Sequence, residues 1–386
     1  MPIYFDHNAT TPLDPRVLEA MLPYLADAAY GNPSSVHRYG RAARQAVDTA
    51  REQIAALVGA QAAQLTFTSG GTEANNLALK GYAARHPRAR LLVSTIEHAA
   101  VIEPAQALAG QGAVVEMIPV DGQGRVSQDA LDSLLRTGKP SLVSVMRANN
   151  ETGVIQDIPA IAERVRAAGA VLHCDAVQAA GKLPLDFSSS GAQLMTVSAH
   201  KFYGPRGIGA LIVDKTLELE PLQHGGGQER GLRGGTENLA AIAGFGAAAE
   251  LARQELEARS AHARSLRDRL EAGLRGLLGT VIFGDGAERL ANTLQFGTPG
   301  FESETLLMSL DRKGIAVSSG SACHSGKTEP SHVLMAMGIE RGLALSAIRV
   351  SLGQKNTLEE VDRFLEVFRG IVQGISAAIP NRATAG

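Results

Sequence analysis

Residues 194–213 read Leu-Met-Thr-Val-Ser-Ala-His-Lys-Phe-Tyr-Gly-Pro-Arg-Gly-Ile-Gly-Ala-Leu-Ile-Val. Two apolar runs, Leu194–Ala199 and Ile208–Val213, flank a glycine-rich turn, and a lysine follows the end of the first run. Working outward, Val/Ile/Leu-rich runs recur at Gln64–Ser69, Arg90–Ile96, Ala113–Val120, Ser141–Ala148 and Ala170–Val177. Most lack strict polar/apolar alternation, which fits strands covered on both faces. Helical patterns fall between them. Gln156–Ala168 has Pro159 near its start and Gly169 past its end, and Ser127–Arg136 opens on a good N-cap with an acid in its first turn. This alternation predicts an α/β fold with a mostly parallel sheet flanked by helices.

Upstream, Arg41–Val58 reads as an amphipathic helix. Downstream, Asn238–Leu278 reads as a long helix with Leu266, Leu270, Leu274 and Leu277 on one face. That helix is the expected bridge to a smaller α+β domain. Strands are expected there near 280–284, 293–297, 315–319 and 347–352, with helices near 302–313 and 357–374. The expected division is a large domain over 15–255 and a small domain built from 1–14 and 256–386. Pro380–Gly386 read as a frayed tail.

Composition bounds the function. The chain has 386 residues with 42 Gly, 10 Phe, 6 Tyr and no Trp, enough for one large or two ordinary domains. Lys plus Arg number 37 against 39 Asp plus Glu, so the near-neutral balance argues against a general nucleic-acid binder. The basic patch Arg85–Arg90 reads as a solvated helix end. The only cysteines, Cys174 and Cys323, exclude a disulfide framework. No signal peptide and no apolar run of about 20 residues is visible. A cytoplasmic protein is expected, with no membrane or nucleic-acid partner and no metal site.

Four features carry chemistry. A lysine at a buried strand end, Lys201, is costly unless paired or used, and desolvation lowers its proton affinity as a Schiff-base lysine requires. Asp175, inside the apolar run Ala170–Val177, calls for a cation, as the ring nitrogen of a pyridoxal cofactor would supply, or else caps the following loop. Ser69-Gly-Gly-Thr72 leads from a strand into a helix and suits an anion, without the Lys-Ser/Thr ending of a P-loop. Ser318–His332 is small and polar, has little to bury and is expected to be mobile. It carries Cys323, whose thiolate His324, Lys327 and His332 would favour; a tolerated surface thiol is the alternative. Cys174, in mid-strand, reads as structural. His98 either stacks on a planar ring or caps the next helix. Asn149–Gly153 is turn-forming, and Arg349 either clamps a carboxylate or makes a structural ion pair.

Together these segments resemble the cysteine desulfurases of the class V aminotransferases, fold-type I pyridoxal-phosphate enzymes. The resemblance runs from Asp6-His-Asn-Ala-Thr-Thr-Pro12 to Ala347-Ile-Arg-Val-Ser-Leu352, and Ser198-Ala-His-Lys-Phe-Tyr-Gly-Pro205 looks like the family's Schiff-base segment. It implies pyridoxal 5′-phosphate on Lys201, with Asp175 on the pyridinium nitrogen and Gln178 on the phenolic oxygen. His98 would stack on the ring and assist proton transfer. Gly71, Thr72, Ser198 and His200 would hold the phosphate, joined by Thr236 from the partner of a homodimer. Asn149 and Arg349 would hold L-cysteine, with Arg349 on its carboxylate.

Ser318-Ser-Gly-Ser-Ala-Cys323 looks like the long-loop group, and Ser69-Gly-Gly-Thr72 is nearer the nitrogen-fixation type. The implied activity turns L-cysteine into L-alanine and a Cys323 persulfide. An iron–sulfur scaffold is the expected sulfur acceptor, although the short tail leaves the acceptor's identity open. The rival readings are an aminotransferase or selenocysteine lyase of this fold, which would not need Cys323, and a non-catalytic sulfur carrier or scaffold-binding protein.

Overall fold

The computed structural model describes residues 2–26, 31–138, 142–277, 279–319 and 329–378. Its centre is a seven-stranded sheet in the spatial order Leu65–Thr68, Gly209–Val213, Leu194–Ser198, Val171–Asp175, Leu142–Ser144, Arg90–Ser94 and Val114–Ile118. Each of the sequence's apolar runs supplies one strand. All pairings are parallel except those of Gly209–Val213, which is antiparallel to both neighbours. The exception follows from the short turn after Ser198, because a parallel return needs a long crossover and a tight one does not. Leu194–Ser198 and Gly209–Val213 are buried at every position, as a sheet covered on both faces requires.

Helices cover the sheet where caps and breakers predict. Ser127 accepts from the Ala130 amide to start Gln128–Arg136. Asp157 does the same for Ile158–Ala167, with Pro159 in the first turn, and the chain leaves near Gly169 at φ 71°. Arg38–Val58 begins three residues earlier than the periodicity predicts, capped by His37, and ends on the left-handed Gly59. The basic patch does lie at a helix end: Tyr82–Arg85 stops there, with Arg85 paired to Glu218 at 2.7 Å.

The helix Leu239–Arg275 serves two cores. Its first half sends Ile242, Phe245 and Ala249 into the core beneath the large sheet. Its second half sends Leu266, Leu270 and Leu274 into another core with Phe296, Phe364 and Phe368. That second core lies on a three-stranded antiparallel sheet ordered Ile348–Ser351, Thr293–Gly297 and Val281–Ile282. The strand expected near 315–319 does not join it. Ile315–Ala316 pairs instead, in parallel, with Ile3–Tyr4 at the start of the chain. Asp6 then bridges to Ser351, which delivers residues 7–11 to the edge of the large sheet. Among the described residues no helix is long and apolar enough to cross a membrane.

Candidate active site

The strands Leu65–Thr68, Arg90–Ser94, Val171–Asp175 and Leu194–Ser198 all end on one side of the sheet, where open α/β folds place their ligands. A cavity of about 210 Å³ opens there, with Asp175, His98, Gln178, Asn150 and Lys201 in its wall. A neighbouring hollow of about 320 Å³ shares Gly71, Thr72, Ser198 and His200 with it and adds Arg206. Ten of the twelve site residues named from the sequence thus fall within one described neighbourhood or its immediate backing, and the remaining two are Thr236 and Cys323.

Lys201 closes the cavity. Its Nζ donates to the backbone oxygens of Asn8 at 2.6 Å and Ala9 at 2.9 Å. Burial, then the nearby Arg349 charge, lower its pKa to about 8. Asp175 is 5% exposed; its Oδ1 accepts from the Val177 amide and its Oδ2 from Asn75 Nδ2 at 2.7 Å. Both partners are neutral. A buried carboxylate that faces a cavity and has only neutral hydrogen-bond partners is suited to a ligand that brings a protonated nitrogen. Below it, His173 is fixed by Ser144 and Thr196 on the adjoining strands, and burial lowers its pKa to about 4.

His98 fills both roles that its sequence allows. Its Nδ1 accepts from the Ala100 amide, capping Ala99–Gly110, while its ring lines the cavity. In the neutral ring the proton therefore sits on Nε2. Burial holds its pKa below the usual histidine value. Next to it, Glu97 is fully buried and accepts from the Met146 amide at 2.7 Å. Burial, then the Asp175 charge, hold this carboxyl well above its ordinary range.

The hollow suits a phosphate. The helical run that starts at Gly71 turns its first amides there, and Ser198 Oγ is buried without a hydrogen-bond partner. Gly70 has φ 154° with ψ −178°, a conformation open essentially only to glycine. A Cβ on Gly209 would lie 2.8 Å from the Gly70 Cα, so the two backbones meet only because residue 209 is glycine. His200 Nδ1 bonds Thr10 Oγ1 at 3.2 Å, and burial lowers its pKa to about 4, leaving it neutral. Arg206 supplies the positive charge; sequence reading passed over it as a turn residue.

The structure moves one assignment by a residue. Asn149, expected to face the substrate, is sealed in its own turn. Its Oδ1 accepts from the amides of Glu151 and Thr152 and from the Thr152 hydroxyl, and its Nδ2 donates to Ile96 O. Asn150 lines the cavity instead. Arg349, 5% exposed, lies behind it, donating to Asp6 Oδ1 at 2.7 Å and to the Asn150 backbone oxygen at 3.0 Å. Its Nε is buried and unpartnered. The ion-pair reading of Arg349 therefore holds in this state, with one donor still free.

Gln178 lines the cavity with its Nε2 on Asn8 O at 2.9 Å. Thr236 is exposed, on a segment tied to the phosphate hollow by Arg233 on Glu73 at 3.0 Å. Cys174 is a buried core thiol whose pKa burial pushes up. Cys323 and residues 320–328 around it lie outside the described residues. Asn8, Asn75, Asn150, Lys182 and Glu97 are site residues that sequence reading missed; only the stretch Asp6–Pro12 hinted at the first.

Comparison with known proteins agrees with this arrangement. The family model described as Aminotransferase class-V matches residues 3–364. A cysteine desulfurase from Trichormus azollae is 45% identical over 98% of this chain and 94% of its own. Among solved structures, a NifS-like protein superposes with a TM-score of 0.90 at 39% identity, covering 97% of this chain and all (100%) of the other. SspA in complex with cysteine superposes with a TM-score of 0.81 at 32% identity, covering 92% of this chain and 100% of the other. The chain belongs to the class-V aminotransferase family, within its cysteine desulfurases.

Proposed function

We propose that the chain uses pyridoxal 5′-phosphate to convert L-cysteine to L-alanine, passing the sulfur to Cys323 as a persulfide. The observation that carries this reading is the shared cavity. A lysine with its pKa lowered to about 8, a buried carboxylate hydrogen-bonded only by neutral groups, and an anion hollow with an orphan hydroxyl all border one space. The residues fit the cofactor. Lys201 would hold its aldehyde carbon, Asp175 its protonated nitrogen, His98 its ring face and Gln178 its phenolic oxygen. Gly71, Thr72, Ser198, His200 and Arg206 would hold its phosphate. Bound there, it supplies an electron sink for charge at the substrate α-carbon.

The protein's own part is proton handling and orientation. Neutral Lys201 takes the α-proton, and its lowered pKa keeps a neutral fraction available near pH 8. Asn150 in the cavity wall and Arg349 behind it, with its unpartnered Nε, would hold the substrate carboxylate, with Asp6 competing for the guanidinium. Cys323 enters from the sequence alone. Its thiolate bonds to the substrate sulfur as the C–S bond breaks. The electron pair stays on the former β-carbon, which is then protonated to the methyl group of alanine. SspA, solved with cysteine, supports the substrate class.

The reading extends to a cytoplasmic homodimer whose Thr236 reaches the partner's phosphate, divided into domains over 15–255 and over 1–14 with 256–386. The sulfur acceptor is an iron–sulfur scaffold. The deciding experiment is L-cysteine turnover with mass analysis of Cys323 for one added sulfur. The purified protein should be yellow, and Lys201→Ala should lose covalent cofactor. Cys323→Ser should stay yellow and form no alanine. Undiminished sulfide release by Cys323→Ser would replace this reading with a lyase that needs no persulfide.

A further inference from the structure

Behind Gln178 lies a second amine. Lys182 Nζ donates to Gln178 Oε1 at 2.6 Å and to Asn8 Oδ1 at 3.1 Å. These amides have only one consistent orientation. Asn8 Nδ2 faces the Asn150 backbone oxygen, which can only accept, so Asn8 Oδ1 must face Lys182. Gln178 Nε2 faces the Asn8 backbone oxygen, so its Oε1 must also face Lys182. An NH2 group carries two protons, and Asn8 O uses one. The second stays on the edge of Gln178 that lines the cavity.

The charged and titratable groups around Lys182 come from several elements. Lys201 and His200 follow the strand Leu194–Ser198, Arg349 lies on Ile348–Ser351, His7 comes from the N-terminal segment, and Arg259 lines the same rear cavity. None is an acid. An amine here is costly to keep, and burial, then the Lys201 and Arg349 charges, hold its pKa well below the ordinary lysine value. A methionine would pack at less cost, yet it would leave Gln178 Oε1 without its donor.

We infer that Lys182 is a positioning residue: it holds the Gln178 carboxamide with its NH2 edge on the cavity, so that the site offers a hydrogen-bond donor to an oxyanion of the ligand. The inference rests on the cofactor reading above, with the phenolic oxygen as that oxyanion. A donor on this oxygen makes it less basic and weakens its hold on the proton it shares with the Lys201 linkage.

The test is a double-mutant cycle read by the pH midpoint of the visible absorbance, alongside cofactor affinity of the stripped protein. Lys182→Met should raise the midpoint by about one unit, the effect of losing one hydrogen bond. Gln178→Ala should do the same, and the double variant should move no further. An unchanged midpoint in Lys182→Met, or additive shifts in the double variant, would overturn the inference while leaving the cofactor site intact. If Lys182→Met does not fold, Lys182→Arg, which keeps a donor, should hold the wild-type midpoint; a shift there is equally contrary. A wild-type protein that takes up no cofactor would overturn both readings.

Discussion

The side chain of Lys201 donates at 2.6 Å to the backbone oxygen of Asn8, a residue 193 positions earlier in the chain. Among the described residues the amine is held by two carbonyls and by no carboxylate within hydrogen-bond reach, and burial with the Arg349 charge lowers its pKa.

With a pKa of about 8, half of Lys201 is neutral near pH 8 instead of near 10.5. Only the neutral amine attacks an aldehyde, so cofactor capture by the stripped protein should rise through pH 8 and level off above it. Between about 8 and 10.5 the unfolded chain holds this proton longer than the folded one, so stability should increase with pH in that window. Stopped-flow absorbance measures the first effect; a half-rise near pH 10 would contradict it.

Ser198→Ala should separate stability from binding. Its hydroxyl is buried without a partner, so the cofactor-free variant should be as stable as the parent or about 1 kcal/mol more so. Cofactor affinity should nevertheless fall about tenfold, the worth of one hydrogen bond to an anion. Thermal melts of stripped and loaded protein test both halves.

The two neighbouring asparagines should behave oppositely. Asn149→Ala strands the buried amides of Glu151 and Thr152 and should cost about 2–4 kcal/mol in urea unfolding. Asn150→Ala should stay within about 0.5 kcal/mol of the parent. It should raise KM for L-cysteine instead. Equal destabilisation by the two would refute the geometry of this turn.

His173 should make the fold acid-sensitive. It is fully buried with a pKa of about 4 against 6.5 for the free side chain. As pH falls from 6.5 to 4 the unfolded chain gains this proton first, so stability is lost across that window, by about 3 kcal/mol at its lower end. Urea midpoints from pH 7 to pH 4.5 should fall less steeply in His173→Gln.

Much of this was legible in the sequence because burial leaves a compositional trace. Runs such as Leu194–Ala199 announce strands, and a lysine or an acid placed at their ends announces cost. The rest had no such trace. Asn8 meets Lys201 and Gln178 through its backbone oxygen, which every residue possesses. Asn149 and Asn150 are chemically identical neighbours in a turn, where no period decides which side chain faces the ligand. Lys182, in Gly-Lys-Leu-Pro, reads like any surface lysine until Gln178 is folded against it. The partner of Ile315–Ala316 left no trace either, because Ile3–Tyr4 is only two residues long and lies more than three hundred positions away.

That last pairing fixes a timetable. Ile3 and Tyr4 are synthesised more than three hundred residues ahead of their partners Ile315 and Ala316. Asp6 waits longer still, for Ser351. At about 5–20 residues per second, the N-terminal segment idles for tens of seconds before it has a place to dock. Until it docks, Lys201, Gln178 and Lys182 lack the Asn8 groups that orient them. The nascent chain therefore cannot assemble the site early: its pieces come together only after Ser351 has been made.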